Sequence, residues 1–266
     1  MIRASLFSNM LDSNVIVIKY GGSLLEDPSH REDFLKDVAA LSKKAKVVLV
    51  HGGGKEISRA LEKKGVATRF VNGLRVTDEH TLAVVADVLT RLNKEIVSHL
   101  VHLGVRAEGC SGKTDHVVLA TALPELGRVG KPEQVNISMF GRILARSLPV
   151  FYPVAEDASG GSLNINADDF ALALALACQA KRLVFLTDSG GVLGSDGKQI
   201  PKIDRALSEN LIRSGVITEG MLVKARASVD AVEKGVGSVD ITKNIKYLLA
   251  SDSAASAVTS FVRKIS

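Results

Sequence analysis

A chain of 266 residues, 46% of them hydrophobic and 24% charged, has enough apolar material for a full core near the upper size of one domain, which excludes disorder and collagen-like repeats. Its net charge of +5 welcomes anionic partners, yet 4% aromatic residues, no Trp and dispersed lysines and arginines argue against a nucleic-acid platform. Apolar runs such as 183–186 and 172–177 fall short of the ~20 residues a membrane span needs, so neither nucleic acid nor membrane is an expected partner.

Residues 1–14 carry one positive side chain and no sustained apolar stretch, which predicts a loose arm rather than a secretory signal. Cys110 and Cys178 are read as free thiols of a reducing compartment, the cytoplasm, because one disulfide would be an unusual framework for so large a core. Two short β-branched runs, 15–19 and 47–50, end in glycines and are followed by helical spacing around 34–41 and 57–61. A long helical pattern covers 78–103, with Thr77 and Asp78 available as caps. His99 and His102 lie on it at i,i+3 spacing, but no neighbouring Cys or carboxylate completes a metal set. Residues 105–107 and 117–120 predict further strands, 128–137 a projecting polar hairpin, and 149–154 another strand. An alanine-rich helix is predicted over 166–178, a buried strand over 183–187, a helix over 219–233 and a strand over 238–242. This alternation predicts an α/β sandwich around a mostly parallel sheet, with ligands beyond the carboxyl ends of its strands.

Gly21-Gly22-Ser23 and Gly52-Gly53-Gly54 both follow strands and precede helices, where bare N–H groups and a helix dipole favour phosphate oxygens. A tight strand-to-helix turn is the plain alternative for either alone. Gly112-Lys113-Thr114 fails as a P-loop because Ala107 stands where its first glycine is required. The dinucleotide fingerprint fails at Ile57, and no nucleophile elbow G-x-S-x-G occurs.

Val17-Ile18-Lys19-Tyr20-Gly21-Gly22-Ser23, His51-Gly52-Gly53-Gly54-Lys55-Glu56, Asn72-Gly73-Leu74-Arg75-Val76-Thr77-Asp78, Asn164-Ile165-Asn166-Ala167-Asp168 and Gly220-Met221-Leu222-Val223-Lys224 resemble, in order and spacing, the N-acetylglutamate kinases of the amino acid kinase family. Ser111-Gly112-Lys113-Thr114-Asp115 and residues 183–193 look like the same family, whereas 243–266 lack its closing His-bearing segment and Gly-Thr pair. The resemblance implies a three-layer αβα sandwich of the carbamate kinase-like type. It implies one domain over 1–266, with an arm at 1–14, an acceptor lobe over about 15–178 and a nucleotide lobe over about 179–266. The implied reaction is ATP-dependent phosphorylation of the side-chain carboxylate of N-acetyl-L-glutamate, in arginine biosynthesis.

By the same resemblance Lys19 and Lys224 are the catalytic lysines, Asp168 orients both, and Arg75 takes the acceptor's α-carboxylate. Such roles make chemical sense, since bringing two anions together needs positive charge placed for the transition state, and a planar fork suits a carboxylate. The plain alternatives are solvated lysines, a first-turn helix carboxylate, and an ion pair of Arg75 with Asp78 or Glu79. Asn164 would bond the substrate's polar end, although an Asn before a helix is also an ordinary cap. Gly21, Gly22, Gly52 and Gly53 would donate N–H groups to phosphoryl oxygens. Thr187, Asp188 and Gly191 fall where the family binds ATP, and Mg²⁺ is expected with the nucleotide, with no protein ligand assigned.

Two rivals remain. One changes the acceptor to aminoadipate or glutamate on a small acidic carrier, against which stands Leu74, where carrier-dependent relatives hold an additional Arg. The other is a non-catalytic anion- or nucleic-acid-binding regulator, which would need neither lysine. Leu82, Val85, Leu89, Leu92, Ile96 and Leu103 form an apolar seam on helix 78–103, widened by Val84, Val88, Val97 and Val101. With the resemblance, it predicts a homodimer through this helix. Arginine-inhibited members carry an additional N-terminal helix and the Gly-Thr tail, so no inhibition by arginine is expected.

Overall fold

The computed structural model describes residues 14–250 and 258–265. The arm predicted over 1–14 lies outside them except for Asn14. In chain order the elements are β1 (Val15–Tyr20), α1 (Ser23–Glu26), α2 (Pro28–Leu41), β2 (Lys46–His51), α3 (Gly54–Lys63), β3 (Phe70–Val71), β4 (Leu74–Arg75) and α4 (Glu79–His102). There follow β5 (Ala107–Ser111), β6 (Val118–Ala122), β7 (Val129–Val135), α5 (Ile137–Arg146), β8 (Leu148–Tyr152), β9 (Val154–Glu156), β10 (Ser162–Ile165) and α6 (Ala167–Ala177). The rest comprises β11 (Arg182–Leu186), β12 (Lys202–Ile203), α7 (Arg205–Arg213), α8 (Glu219–Glu233), β13 (Ser238–Thr242) and β14 (Val258–Phe261).

An eight-stranded sheet runs in the order β12-β14-β13-β11-β1-β2-β8-β5. The strands from β13 to β5 are parallel, and β14 turns antiparallel onto β13. Strand alternation splits the core into two faces. Ile16, Ile18 and Tyr20 of β1 pack with Phe34 of α2 and Val85 and Leu89 of α4. Val15 and Val17 pack on the opposite face with Phe170 and Leu174 of α6 and Ala225 and Val229 of α8. The result is the predicted αβα sandwich around a mostly parallel sheet. The chain leaves β1 on one side for β2 and returns on the other as β11, so the strand order reverses at β1, and the crevice for ligands falls at the carboxyl ends there.

Several elements differ from expectation. Residues 128–137 form no projecting hairpin: β7 pairs antiparallel with β6 and parallel with β10 in a closed barrel β10-β7-β6-β9. Its charged residues Lys131 and Glu133 face outward while Val129 and Gly130 are buried, which is how a barrel strand takes on a polar look. The strand predicted at 105–107 begins only at Ala107, and 149–154 divides into β8 and β9. Helices α5 and α7 and strand β14 were not predicted.

Helix α4 begins at the predicted cap, where the Asp78 carboxylate accepts the Thr81 N–H at 2.7 Å. Leu82, Val85, Leu89, Leu92 and Ile96 are buried, as are Val84 and Val88, so the seam faces the protomer's own core and leaves Val101 exposed. Both cysteines are buried and free, with Cys110 pushed up to about 12 chiefly by burial.

On β13, Asp240 is fully buried, and its Oδ2 accepts from Arg182 Nη1 at 2.8 Å and from the Tyr247 hydroxyl at 2.7 Å. Removing a buried anion from such a pair costs about 3–5 kcal/mol. The Arg182 side chain is 35% exposed, so we expect Asp240→Asn to cost less, about 2 kcal/mol, read as a lowered urea midpoint. An unchanged midpoint would remove this pair from the fold's stabilising contacts.

Candidate active site

Period-2 alternation that buries Val15 and Val17 against α6 and α8 also turns Lys19 toward that layer. Its Nζ lies 3.0 Å from Asp168 Oδ1, and Lys224 Nζ, from α8, lies 2.7 Å from Asp168 Oδ2. The two lysines therefore share one carboxylate. Asp168 stands in the first turn of α6, where Asn166 caps the helix by accepting the N–H groups of Asp168 at 2.8 Å and Asp169 at 3.2 Å. Burial alone would push the Asp168 carboxyl up; the two ammonium groups outweigh it and hold it below the usual carboxylate range.

The glycine turns meet beside this bridge. A Cβ on Gly21 would stand 3.3 Å from Lys19 Nζ and 3.5 Å from Gly52 N. Gly22 has φ +73°, and a Cβ there would lie 4.0 Å from Asp188 Oδ2, which brings the first turn beside the loop after β11. The Gly52 N–H donates to Tyr20 O at 2.8 Å and is already used by the backbone, unlike the expectation for it. The amides of Gly21, Gly22 and Gly53 have no acceptor among the described residues. Gly53 has another reason to be glycine: a Cβ would sit 2.9 Å from methyl carbons of both Leu89 and Leu92.

The second turn rests on His51, which heads its motif in the sequence, and on Asn93, for which sequence patterns gave no signal. His51 is fully buried, with Nδ1 2.8 Å from Gly52 O and Nε2 3.2 Å from Asn93 Nδ2, which also donates to Val150 O at 2.7 Å. Because Asn93 donates to Nε2, the proton is assigned to Nδ1, whose N–H then holds the Gly52 carbonyl. Burial lowers the His51 pKa to about 4, so the ring is neutral at pH 7. Gly109 makes this possible, since a Cβ there would collide with Asn93 Oδ1.

Arg75 is 7% exposed and among the described residues meets neutral partners only: Nη2 donates to Gly54 O at 2.8 Å and Ser58 Oγ at 2.9 Å, and Nη1 to Thr68 Oγ1 at 3.3 Å. Its guanidinium lies 4.7 Å from the Phe70 ring centroid. The alternative ion pairs with Asp78 or Glu79 do not form among the described residues: Asp78 caps α4 and Glu79 pairs with Arg128 at 3.0 Å. Burial lowers the Arg75 pKa, and with no carboxylate beside it among the described residues its charge is left without a counter-ion there. Asn164 does not cap a helix. Its Nδ2 donates to Thr77 Oγ1 at 3.2 Å, and Thr77 Oγ1 in turn donates to Arg75 O at 2.8 Å, so Thr77 links two predicted acceptor residues.

Thr187, Asp188 and Gly191 follow β11 on the same edge of the sheet. The Thr187 N–H is held by Thr242 O at 2.9 Å. Gln199 Nε2 donates to Gly190 O at 2.9 Å, and the Val192 N–H donates to Thr259 Oγ1 at 2.9 Å, so the unforeseen strand β14 braces this loop. Among the described residues no group of three or more His, Cys, Asp or Glu could hold a metal ion, and no helix is long and apolar enough to cross a membrane.

An acetylglutamate kinase of Endomicrobium trichonymphae is 39% identical over 235 residues, covering 88% of this chain and 94% of that one. The crystal structure of smu.665 from Streptococcus mutans superposes with a TM-score of 0.80 at 31% identity, covering 95% of this chain and all of that one. A Giardia lamblia carbamate kinase bound to AMP-PNP shares the fold, with a TM-score of 0.68 at 15% identity over 95% of this chain and 99% of that one. The amino acid kinase family profile matches residues 14–243, and with these relatives it places the chain in the amino acid kinase family.

Proposed function

We propose that the chain transfers the γ-phosphoryl group of ATP to the side-chain carboxylate of N-acetyl-L-glutamate, giving ADP and N-acetylglutamyl 5-phosphate in arginine biosynthesis. One observation carries this reading: two ammonium groups from remote segments share the Asp168 carboxylate beside unpaired glycine amides. A carboxylate oxygen of the acceptor attacks the γ-phosphorus as the bond to the ADP oxygen breaks, so no proton has to move and no covalent enzyme intermediate forms. Lys19 and Lys224 meet the charge that grows on the phosphoryl oxygens, and Asp168 fixes both in place beforehand. The amides of Gly21, Gly22 and Gly53 add neutral donors, while Arg75 and Asn164 hold the acceptor's other end. Thr187, Asp188 and Gly191 bind the nucleotide, which divides the domain into an acceptor lobe over about 15–178 and a nucleotide lobe over about 179–266. Mg²⁺ would accompany ATP, with no protein ligand assigned to it, and would supply further neutralisation of the phosphates.

The acceptor follows from the relatives named for it and from the unpaired Arg75. A coupled ADP-release assay across acyl amino acids, with hydroxylamine trapping of the acyl phosphate, tests the reaction. No ADP release with any carboxylate acceptor would sink it and favour the anion-binding regulator, while turnover only with a carrier-bound acid would favour the carrier reading. Arg75→Lys turns a bidentate fork into a point charge, so we expect the acceptor KM to rise about tenfold with the ATP KM unchanged. A shift in the ATP constant alone would reassign Arg75.

A cytoplasmic homodimer belongs to the same proposal. Since the α4 seam is buried, the contact would use what α4 leaves outside, such as Val101, 53% exposed, together with the open edge of β5. Light scattering at micromolar concentration would refute this with a monomer mass.

A further inference from the structure

The Gly112-Lys113-Thr114 triplet has no part in the transfer described above, yet its surroundings are built to place one ammonium. The loop leaves the carboxyl end of β5, on the edge of the sheet that carries the reaction centre. Gly112 is pressed against β9, where a Cβ would stand 2.9 Å from Val154 O and Ala155 Cβ, and its N–H donates to Val154 O at 2.7 Å. The Ser111 N–H donates to Thr114 Oγ1 at 2.8 Å, and the Lys113 N–H donates to Ser111 Oγ at 3.2 Å. Asp115 and His116 follow at φ 50° and 52°, a left-handed conformation that costs a non-glycine residue energy and persists only where neighbours enforce it. The His116 ring hydrogen-bonds Glu156, and Asp115 lies 3.6 Å from Arg146 Nη2.

This fixed loop brings Lys113 Nζ to Ser162 Oγ at 2.8 Å. Among the described residues Lys113 forms no ion pair, so its ammonium keeps donors to spare. Ser162 and Asn164 alternate with the buried Leu163 and Ile165 along β10 and so share its outer face, about 6.6 Å apart. That face also holds the Asn164–Thr77–Arg75 chain.

We propose that Lys113, anchored by Ser162, is a specificity-determining residue of the acceptor site that donates to the acyl carbonyl oxygen of an N-acylated dicarboxylate. The inference rests on the acceptor reading given above and deepens it. Arg75 reads the α-carboxylate, and Lys113 reads the amide beside it. An ammonium already satisfied in part by a neutral hydroxyl suits a second neutral oxygen, and a hydrogen bond with one charged partner is stronger than one between neutral groups.

Lys113→Met in the full chain is the test. The KM for N-acetyl-L-glutamate is expected to rise about ten- to a hundredfold, with kcat and the ATP KM held within about twofold. Glutarate keeps both carboxylates and lacks the acylamino group, so it should inhibit wild type and variant with the same Ki. Lys113→Arg should recover part of the loss, and Ser162→Ala should fall between wild type and Lys113→Met. Equal weakening of glutarate and N-acetyl-L-glutamate would overturn the acyl assignment, as would an unchanged KM in a variant of wild-type Tm. Failure of the underlying acceptor reading looks different: wild type would turn over no N-acetyl-L-glutamate, and the inference would fall with it.

Discussion

Lys224→Ala is expected to lower the turnover number by about a hundredfold or more while moving either KM little. The group sits on Asp168 at 2.7 Å, and in the proposed reaction its value would lie in meeting charge that develops during transfer. Losing one preorganised contact of this kind removes roughly 3 kcal/mol of transition-state stabilisation. The fold should survive, because Asp168 keeps Lys19 at 3.0 Å and the Lys224 side chain is 27% exposed, so no deeply buried charge is orphaned. Lys224→Arg restores charge but not shape, and its fork cannot occupy the place of a compact ammonium between a carboxylate and a phosphoryl group. Steady-state kinetics beside circular dichroism decide the matter. A turnover number equal to wild type in a folded Lys224→Ala protein would remove this residue from the reaction.

Acid should weaken the fold well before the carboxylates titrate, and His51 should account for much of it. Its pKa is about 4 when folded against an ordinary 6.5, so between those values the unfolded chain binds a proton that the native chain refuses. Stability from the neutral ring is therefore complete above pH 6.5, is lost as pH falls, and stops changing near pH 4. The span amounts to about 3 kcal/mol. Asp168 acts in the same sense at lower pH: its lowered pKa keeps its contribution intact above the usual carboxylate value and loses it only in stronger acid. Urea midpoints of wild type and His51→Gln at pH 7, 5.5 and 4.5 separate the two groups. The variant should show a flatter decline across this window, and parallel declines would contradict the assignment of the buried ring.

The parts of the molecule visible in its sequence are those where local chemistry and tertiary role coincide. Lys19 stands two residues before a glycine turn, Asp168 in the first turn of a helix capped by Asn166, and Lys224 on a helix whose predicted bounds match those observed. The links made by Thr77 and His51 were harder to read, since Thr77 looked like a helix cap rather than a hydroxyl joining Asn164 to Arg75, and nothing tied His51 to Asn93. Gly52 shows the same limit from another side: its glycine character was visible, but the carbonyl of Tyr20 that takes its N–H is a neighbour supplied only by sheet pairing. Barrel strand β7 was hidden by an outer face of Lys131 and Glu133, and β14 by its place in a stretch unlike the family's usual ending. Burial was decisive for α4, whose seam is covered by its own sheet.

Strand β1 pairs on one side with β2, the next strand made, and on the other with β11, which is made only after most of the chain. During synthesis the amino-terminal strands can assemble early, but the far edge of β1 stays open until β11 leaves the ribosome, and an open edge invites pairing with other chains. Such remote pairings also make folding slow relative to proteins built from local contacts. Because Lys224 lies later still than β11, nascent chains halted anywhere before α8 also lack the second lysine that pairs with Asp168. The Lys19–Asp168–Lys224 bridge is thus completed only when the last strand partner of β1 has already been made.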